Sequence, residues 1–261
     1  MTENDPLTRR EREEFENDLT AFCDRELDHL GDIRSLDVLY AGGSSPLWIE
    51  GLSQRIGENG TLISVDMNAE RIDKAQGTLA EAGLVAPVRF HAGDIFAMPF
   101  GAGTFDLVYS SGRLHELDVK ERSAGDALAA FRRVARPGGR VATGDFVDSA
   151  PALQLEDEEL EAELRREVHG SEVYGIGPPA RLVVLHEELF TRVRWRISPP
   201  QDIRHLGKLV LNEDDPPGLP SLPPATARRL RQRREALRGR ISSEGYTRPA
   251  TLYVEGHVRA G

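Results

Sequence analysis

The chain has 261 residues, 39% of them hydrophobic and 29% charged, with a formal net charge of −10. That is ordinary globular composition with enough length for a buried core, which excludes a disordered chain. The single cysteine, Cys23, excludes a disulfide framework and any zinc site built on two thiolates, and no metal is expected. No run of 18 apolar residues exists, so no membrane span is expected. The opening stretch MTENDPLTRREREEFEND is acidic and lacks an apolar run, so it does not read as a secretory signal, and a cytoplasmic location is expected. The acidic balance argues against a nucleic-acid partner. Of the 33 basic residues only Lys74, Lys120 and Lys208 are lysine, an arginine excess that GC-rich coding explains more simply than function does.

The elements follow in chain order. Residues 7–30 place Phe15, Leu19, Phe22, Leu27 and Leu30 near helical spacing, with Gly31 as the stop. A strand over Leu36–Tyr40 runs into the turn AGGSSP, and a helix follows with Ser45 as cap and Pro46 in its first turn. It stops at Gly57, and Asn59-Gly60 turns into a strand at Leu62–Val65 that ends at Asp66. A helix over 69–82, a strand at Val88–His91 and a buried strand at Phe105–Ser110 come next. A helix over 121–135 ends at ARPGG, and a strand covers Arg140–Asp145. Strands alternating with helices predict a mostly parallel sheet with helices on both faces.

Beyond residue 150 the regularity drops. Residues 155–168 form an acidic helix, HGSEVYGIGPP is a loop, and 180–190 is helical. Thr191–Ile197 is a strand, and residues 199–223 read as loop, with prolines at 199, 200, 216, 217, 220, 223 and 224. An arginine-rich helix covers 225–240, and Thr251–Val258 is the final strand. The last two strands are expected to pair antiparallel at one sheet edge.

Three stretches carry chemistry. The glycine-rich turn between the first strand and its helix lets a ligand approach the backbone, and a helix N-terminus favours an anionic group. Asp66 closes the second strand 23 or 24 residues after those glycines, where a carboxylate can accept both ribose hydroxyls of an adenosine; a helix cap is the competing reading. Asp94 follows the third strand, where it can accept from an adenine amino group, with Ile95 and Phe96 packing on the base.

In ISVDMNAERIDKA (63–75), HAGDIFAMPFGAGTFDLVYSSGRLHEL (91–117) and AFRRVARPGGRVATGDF (130–146) the chain resembles the class I S-adenosylmethionine (SAM) dependent methyltransferases, of the methyltransferase-11 type that includes the ubiquinone/menaquinone C-methyltransferases. The resemblance covers residues 36–147. It implies a Rossmann-like, doubly wound α/β fold: a seven-stranded, mostly parallel sheet with an antiparallel edge strand, plus an N-terminal helix and helical insertions. It implies SAM as cofactor and methyl transfer as the reaction. The family's ribose-binding acid falls on Asp66 with Met67 beside it. Its adenine-contacting acid falls on Asp94 with Ile95, and the residue near the sulfonium falls on Ser110 or Ser111. The first motif departs from the family. Either Ala41 and Gly43, or Gly42 and Ser44, take the first two glycine positions, so the acid position is Leu39 or Tyr40 and the carboxylate is missing. Backbone N–H groups of Gly42, Gly43 and Ser44 remain as candidates to hold the SAM carboxylate.

The candidate catalytic group is His115, near where the methyl should point, with packing as the competing role. His169 and Tyr174 are candidates to orient the acceptor. The chain reads as one methyltransferase domain: an N-terminal helix (1–30), a SAM-binding core (31–150), a helical cap (151–190), and the last two strands (191–261) carrying an insertion over 199–249. The expected partner is a small organic acceptor. The alternatives are an RNA or protein methyltransferase, or a SAM-fold regulator, scaffold or non-methylating catalyst. The arginine helix is the feature for RNA, and pairing with the acidic helix, within the fold or in a homodimer, is the competing explanation.

Overall fold

The computed structural model describes residues 5–148, 152–212, 215 and 218–260. The first four residues of the acidic opening stretch, the boundary between residues 150 and 151, and Pro216 and Pro217 lie outside them.

The alternation of short apolar runs with amphipathic segments becomes strands β1 (Asp37–Ala41), β2 (Thr61–Asp66), β3 (Val88–Ala92), β4 (Phe105–Ser111), β5 (Ala135–Phe146), β6 (Thr191–Ile197) and β7 (Thr251–His257). They form one sheet in the order β3-β2-β1-β4-β5-β7-β6. The first five pair in parallel, and β7 runs antiparallel to both β5 and the edge strand β6. The reversed strand therefore sits one place in from the β6 edge.

The helices are α1 (Arg9–Leu27), α2 (Pro46–Ile56), α3 (Ala69–Leu79), α4 (Ala124–Val134), α5 (Ala152–His169), α6 (Pro179–Leu189), α7 (Leu206–Leu211) and α8 (Pro224–Glu244). Thr8 and Glu11 form a capping box on α1, as Ser123 and Asp126 do on α4. Ser45 precedes α2, which starts on Pro46, but makes no side-chain cap bond. Helices α1, α2 and α3 bury Leu27, Leu52 and Leu79 against one sheet face, with Tyr40 and Tyr109. Helices α4 and α6 bury Phe131 and Leu182 against the other, with Leu39 and Val108.

ARPGG does stop α4, but Ala135 already pairs with Phe105, and the strand resumes at Arg140 opposite Leu107. Gly139 is required in that bulge, since a side-chain carbon there would lie 2.9 Å from the Arg136 carbonyl. The stretch expected to be loop over 199–223 contains α7, which is too short for a clear apolar period.

Helices α5, α7 and α8 share a separate apolar cluster of Leu160, Leu164, Leu230, Leu237 and Ile241. The arginines of α8 meet acids along this cluster. Arg229 and Arg233 pair with Glu163, Arg240 pairs with Glu156, and Arg231 and Arg234 reach Asp215. The acidic and basic helices therefore neutralise each other inside one chain. The segment before α7 is tied to α1 by Arg204–Asp18 at 2.8 Å and His205–Glu14 at 2.9 Å. Among the described residues no helix is long and apolar enough to cross a membrane.

Candidate functional site

A cleft of about 510 Å³ opens at the carboxyl ends of the parallel strands, where small-molecule sites of α/β sheets form. Gly42, Asp66, Met67, Asp94 and Ile95 line it together. They come from three separate loops, which the parallel register of β1, β2 and β3 brings to one end of the sheet.

Asp66 is 4% exposed and firmly held. Its Oδ2 accepts the Ser44 hydroxyl at 2.8 Å, and its Oδ1 accepts the Asn68 N–H at 2.9 Å. The cap of α3 is Asn68, whose side chain accepts from the Arg71 N–H, so Asp66 is not the cap. Each carboxylate oxygen still has a lone pair to offer a hydroxyl donor. Met67 is 83% exposed at the rim. On the opposite wall, Asp94 Oδ1 accepts the Phe96 N–H at 2.9 Å. Its Oδ2 pairs with Arg122 at 2.8 Å, and that guanidinium lies 5.0 Å from the centre of the Phe96 ring. Arg122 therefore sits on the acid and ring expected to face adenine.

The first turn differs from expectation. The N–H groups of Gly42 and Gly43 both donate to the Val65 carbonyl, at 2.9 and 3.0 Å. They are committed to β2 and cannot also grip a ligand carboxylate with full strength. Gly43 lies outside the cleft lining. A side-chain carbon on it would lie 2.4 Å from the Tyr40 ring, which is buried and stacked on Tyr109. Ala41 is wholly buried in β1, and Ser44 reaches the cleft only through Asp66. A cation takes the open side of this turn. Arg113 approaches Gly42, with its Cγ 3.1 Å from where a Gly42 side chain would begin, and bonds Glu116 at 2.6 Å. Its buried Nε has no partner.

Ser110 is 1% exposed, outside the cleft lining, and its hydroxyl has no partner. Ser111 lies opposite Gly144 across β4 and β5. His115 is buried. Its Nδ1 lies 2.6 Å from Asp145 Oδ1, while the N–H groups of Leu114 and His115 donate to Asp145 Oδ2. Burial opposes its charge, yet the Asp145 carboxylate raises its pKa overall. The His115 carbonyl also accepts the Gly175 N–H, and the crevice between His115 and Tyr174 has no room for a water molecule. The geometry makes His115 a tie between three loops. Tyr174 packs under Arg181, whose guanidinium is 3.7 Å from its ring centre. His169 ends α5 in the open, away from the cleft lining.

Arg113, Arg122 and Arg165 line the cleft without any sequence pattern that separates them from the other arginines. Arg165 projects from α5, so the cap borders the cleft.

Residues 38–139 match the family model of the methyltransferase domain. The chain is 32% identical over 120 residues to a ubiquinone/menaquinone biosynthesis C-methyltransferase UbiE from Azotobacter vinelandii, covering 46% of this chain and 45% of that protein. It is 34% identical over 122 residues to the protein of that name from Stutzerimonas stutzeri, covering 47% and 44%. The chain thus spans about half the length of the curated relatives it matches. Among solved structures it resembles a cyclopropane-fatty-acyl-phospholipid synthase-like protein from Lactobacillus casei, with a TM-score of 0.67, 15% identity and coverage of 92% and 91%. It also resembles a SAM dependent methyltransferase from Aquifex aeolicus, with a TM-score of 0.52, 13% identity and coverage of 90% and 89%. These likenesses extend the fold, though not the sequence match, across nearly the whole chain. Over residues 38–139 the chain is thus similar to methyltransferase domains.

Proposed function

We propose that the protein transfers a methyl group from SAM to a small organic acceptor, and that its whole length is one such domain with an N-terminal helix and a cap. The observation that carries this reading is the pair Asp66 and Asp94, facing one cleft from the ends of β2 and β3. The residues present fit SAM. Asp66 is rigid and keeps acceptor capacity for two ribose hydroxyls. Ile95 and Phe96 offer an apolar seat for a base, with Asp94 beside it for an amino group. When bound, SAM supplies an activated methyl on a sulfonium.

The chain's own work is then positioning, which contributes most of the rate in an in-line displacement. Arg113, whose side-chain stem lies beside Gly42 and whose Nε has no partner, is the cation placed to pair the SAM carboxylate; it does not replace the acid missing from the first motif. Ser111 and Gly112 mark the end of β4 where the methyl would point. The cap of residues 151–190 borders the cleft through Arg165 of α5, on the side left for the acceptor. A cytoplasmic location belongs to the same proposal.

One observation favours a second reading, a SAM-fold regulator or non-methylating catalyst. Gly42 and Gly43 have committed their N–H groups, and Arg122 occupies Asp94. An RNA acceptor loses its support, since the α8 arginines named above are paired with acids. Calorimetric titration with S-adenosylhomocysteine tests the proposal. Saturable one-to-one binding is expected, and no heat at high protein concentration would contradict it.

A further inference from the structure

Glu26 is an acid in an unusual place. It lies near the end of α1, is 2% exposed, and among the described residues no cation comes within 4 Å of its carboxylate. A buried carboxylate without an ion pair costs stability, so the fold alone gives no reason to keep it. Its Oε2 lies 3.5 Å from where a Gly144 side chain would begin, and Gly144 pairs with Ser111 at the end of β4. The absent side chain at Gly144 lets the Tyr253 ring and the carboxyl both approach the strand end where the methyl is expected.

The surroundings are aromatic. The Arg248 guanidinium is held between the Phe22 and Phe146 rings, 4.7 and 5.1 Å from their centres. Its Nε is buried without a partner. The Tyr253 ring packs beside Gly144, and Trp48 donates its indole N–H to the Tyr109 hydroxyl at 3.4 Å. These groups come from α1, α2, β4, β5, β7 and the segment before β7.

We propose that Glu26 is the general base of the acceptor site, and that the acceptor carries its reacting proton on a nitrogen or oxygen joined to an apolar body. This rests on the methyl-transfer reading above. The Glu26 carboxylate takes that proton. The freed lone pair bonds the methyl carbon while the carbon–sulfur bond breaks, and its electron pair stays on sulfur. The methylated acceptor and S-adenosylhomocysteine leave, and Glu26 returns its proton to solvent.

The groups facing Glu26 suit this role. Burial raises its pKa to about 8, against the pull of Arg248, the nearby Thr251 hydroxyl, Arg25 on the same helix and Arg196 on β6. Tyr109 on β4 stays neutral, because burial raises its own pKa well above the usual value. A base poised near the working pH is the effective one.

Sinefungin tests this without knowing the acceptor, because it carries an ammonium group where SAM carries the methyl. Wild type should bind sinefungin about tenfold tighter than S-adenosylhomocysteine, the scale of one charge-assisted hydrogen bond. Glu26→Gln should bring the two affinities within about twofold while S-adenosylhomocysteine binding stays unchanged. In wild type at pH 7, sinefungin should release up to about one proton, read by calorimetry in two buffers, and S-adenosylhomocysteine none. An unchanged affinity ratio in Glu26→Gln, an equal loss for both ligands, or no proton release in wild type would each overturn the assignment. Failure of wild type to bind S-adenosylhomocysteine is a different result, and it would overturn the cofactor reading together with this one.

Discussion

Arg122 and Asp94 form a 2.8 Å ion pair on the side of the cleft proposed for adenine, with the guanidinium over the Phe96 ring. A planar cation thus holds the position that a planar base would need. Both partners are about half exposed, so the pair is worth at most about 1 kcal/mol. On the proposed pose, cofactor binding moves Arg122 aside. Arg122→Ala should therefore tighten S-adenosylhomocysteine binding, by no more than about fivefold, and weaken its salt dependence. Calorimetry at two ionic strengths checks both, and looser binding would show that Arg122 holds the ligand instead.

Gly43 and Tyr40 give a stability prediction. A methyl group at position 43 would lie 2.4 Å from the Tyr40 ring, which is locked against Tyr109 with centroids 5.8 Å apart. Gly43→Ala should lower stability by about 1–3 kcal/mol, the usual cost of overpacking. Adding Tyr40→Phe should restore part of it, because the hydroxyl is among the closest atoms. Denaturant melts of the single and double variants measure this.

His186 sets an acid limit. Its Nδ1 donates to the Leu182 carbonyl at 2.7 Å and its Nε2 accepts from the Thr143 hydroxyl at 3.0 Å, so the neutral ring is fully satisfied. Burial lowers its pKa to about 4. Between pH 6.5 and 4 the unfolded chain takes up a proton that the folded one refuses, so stability falls as pH falls through that window. His186→Gln should remove that part of the pH dependence. A variant with the wild-type slope between pH 6.5 and 4 would contradict the neutral assignment.

What was readable from the chain divides along a physical line. The strand and helix alternation through residue 146 is written in local periodicity, and so are Asp66, which closes β2, and Asp94, which follows β3. Whatever depends on tertiary approach was not readable. The N–H groups of Gly42 and Gly43 turn back onto Val65 only once β1 and β2 lie side by side. Asp145 meets His115 because β4 and β5 pair. Arg113 and Arg122 are two arginines among thirty, and nothing local marks them. Glu26 looks like one more charge on a charged helix until α1 packs on the sheet.

Asp66 carries the central claim, because it is the residue proposed to hold the ribose. Its carboxylate is oriented by Ser44 and Asn68 and turned to the cleft. The decisive measurement is the calorimetric affinity for S-adenosylhomocysteine in wild type and in Asp66→Ala, with circular dichroism confirming the fold of each. Binding by wild type and a loss of about 10- to 100-fold in the variant is the predicted result, the scale of one or two hydrogen bonds to a charged group. Wild-type affinity in Asp66→Ala would contradict the account.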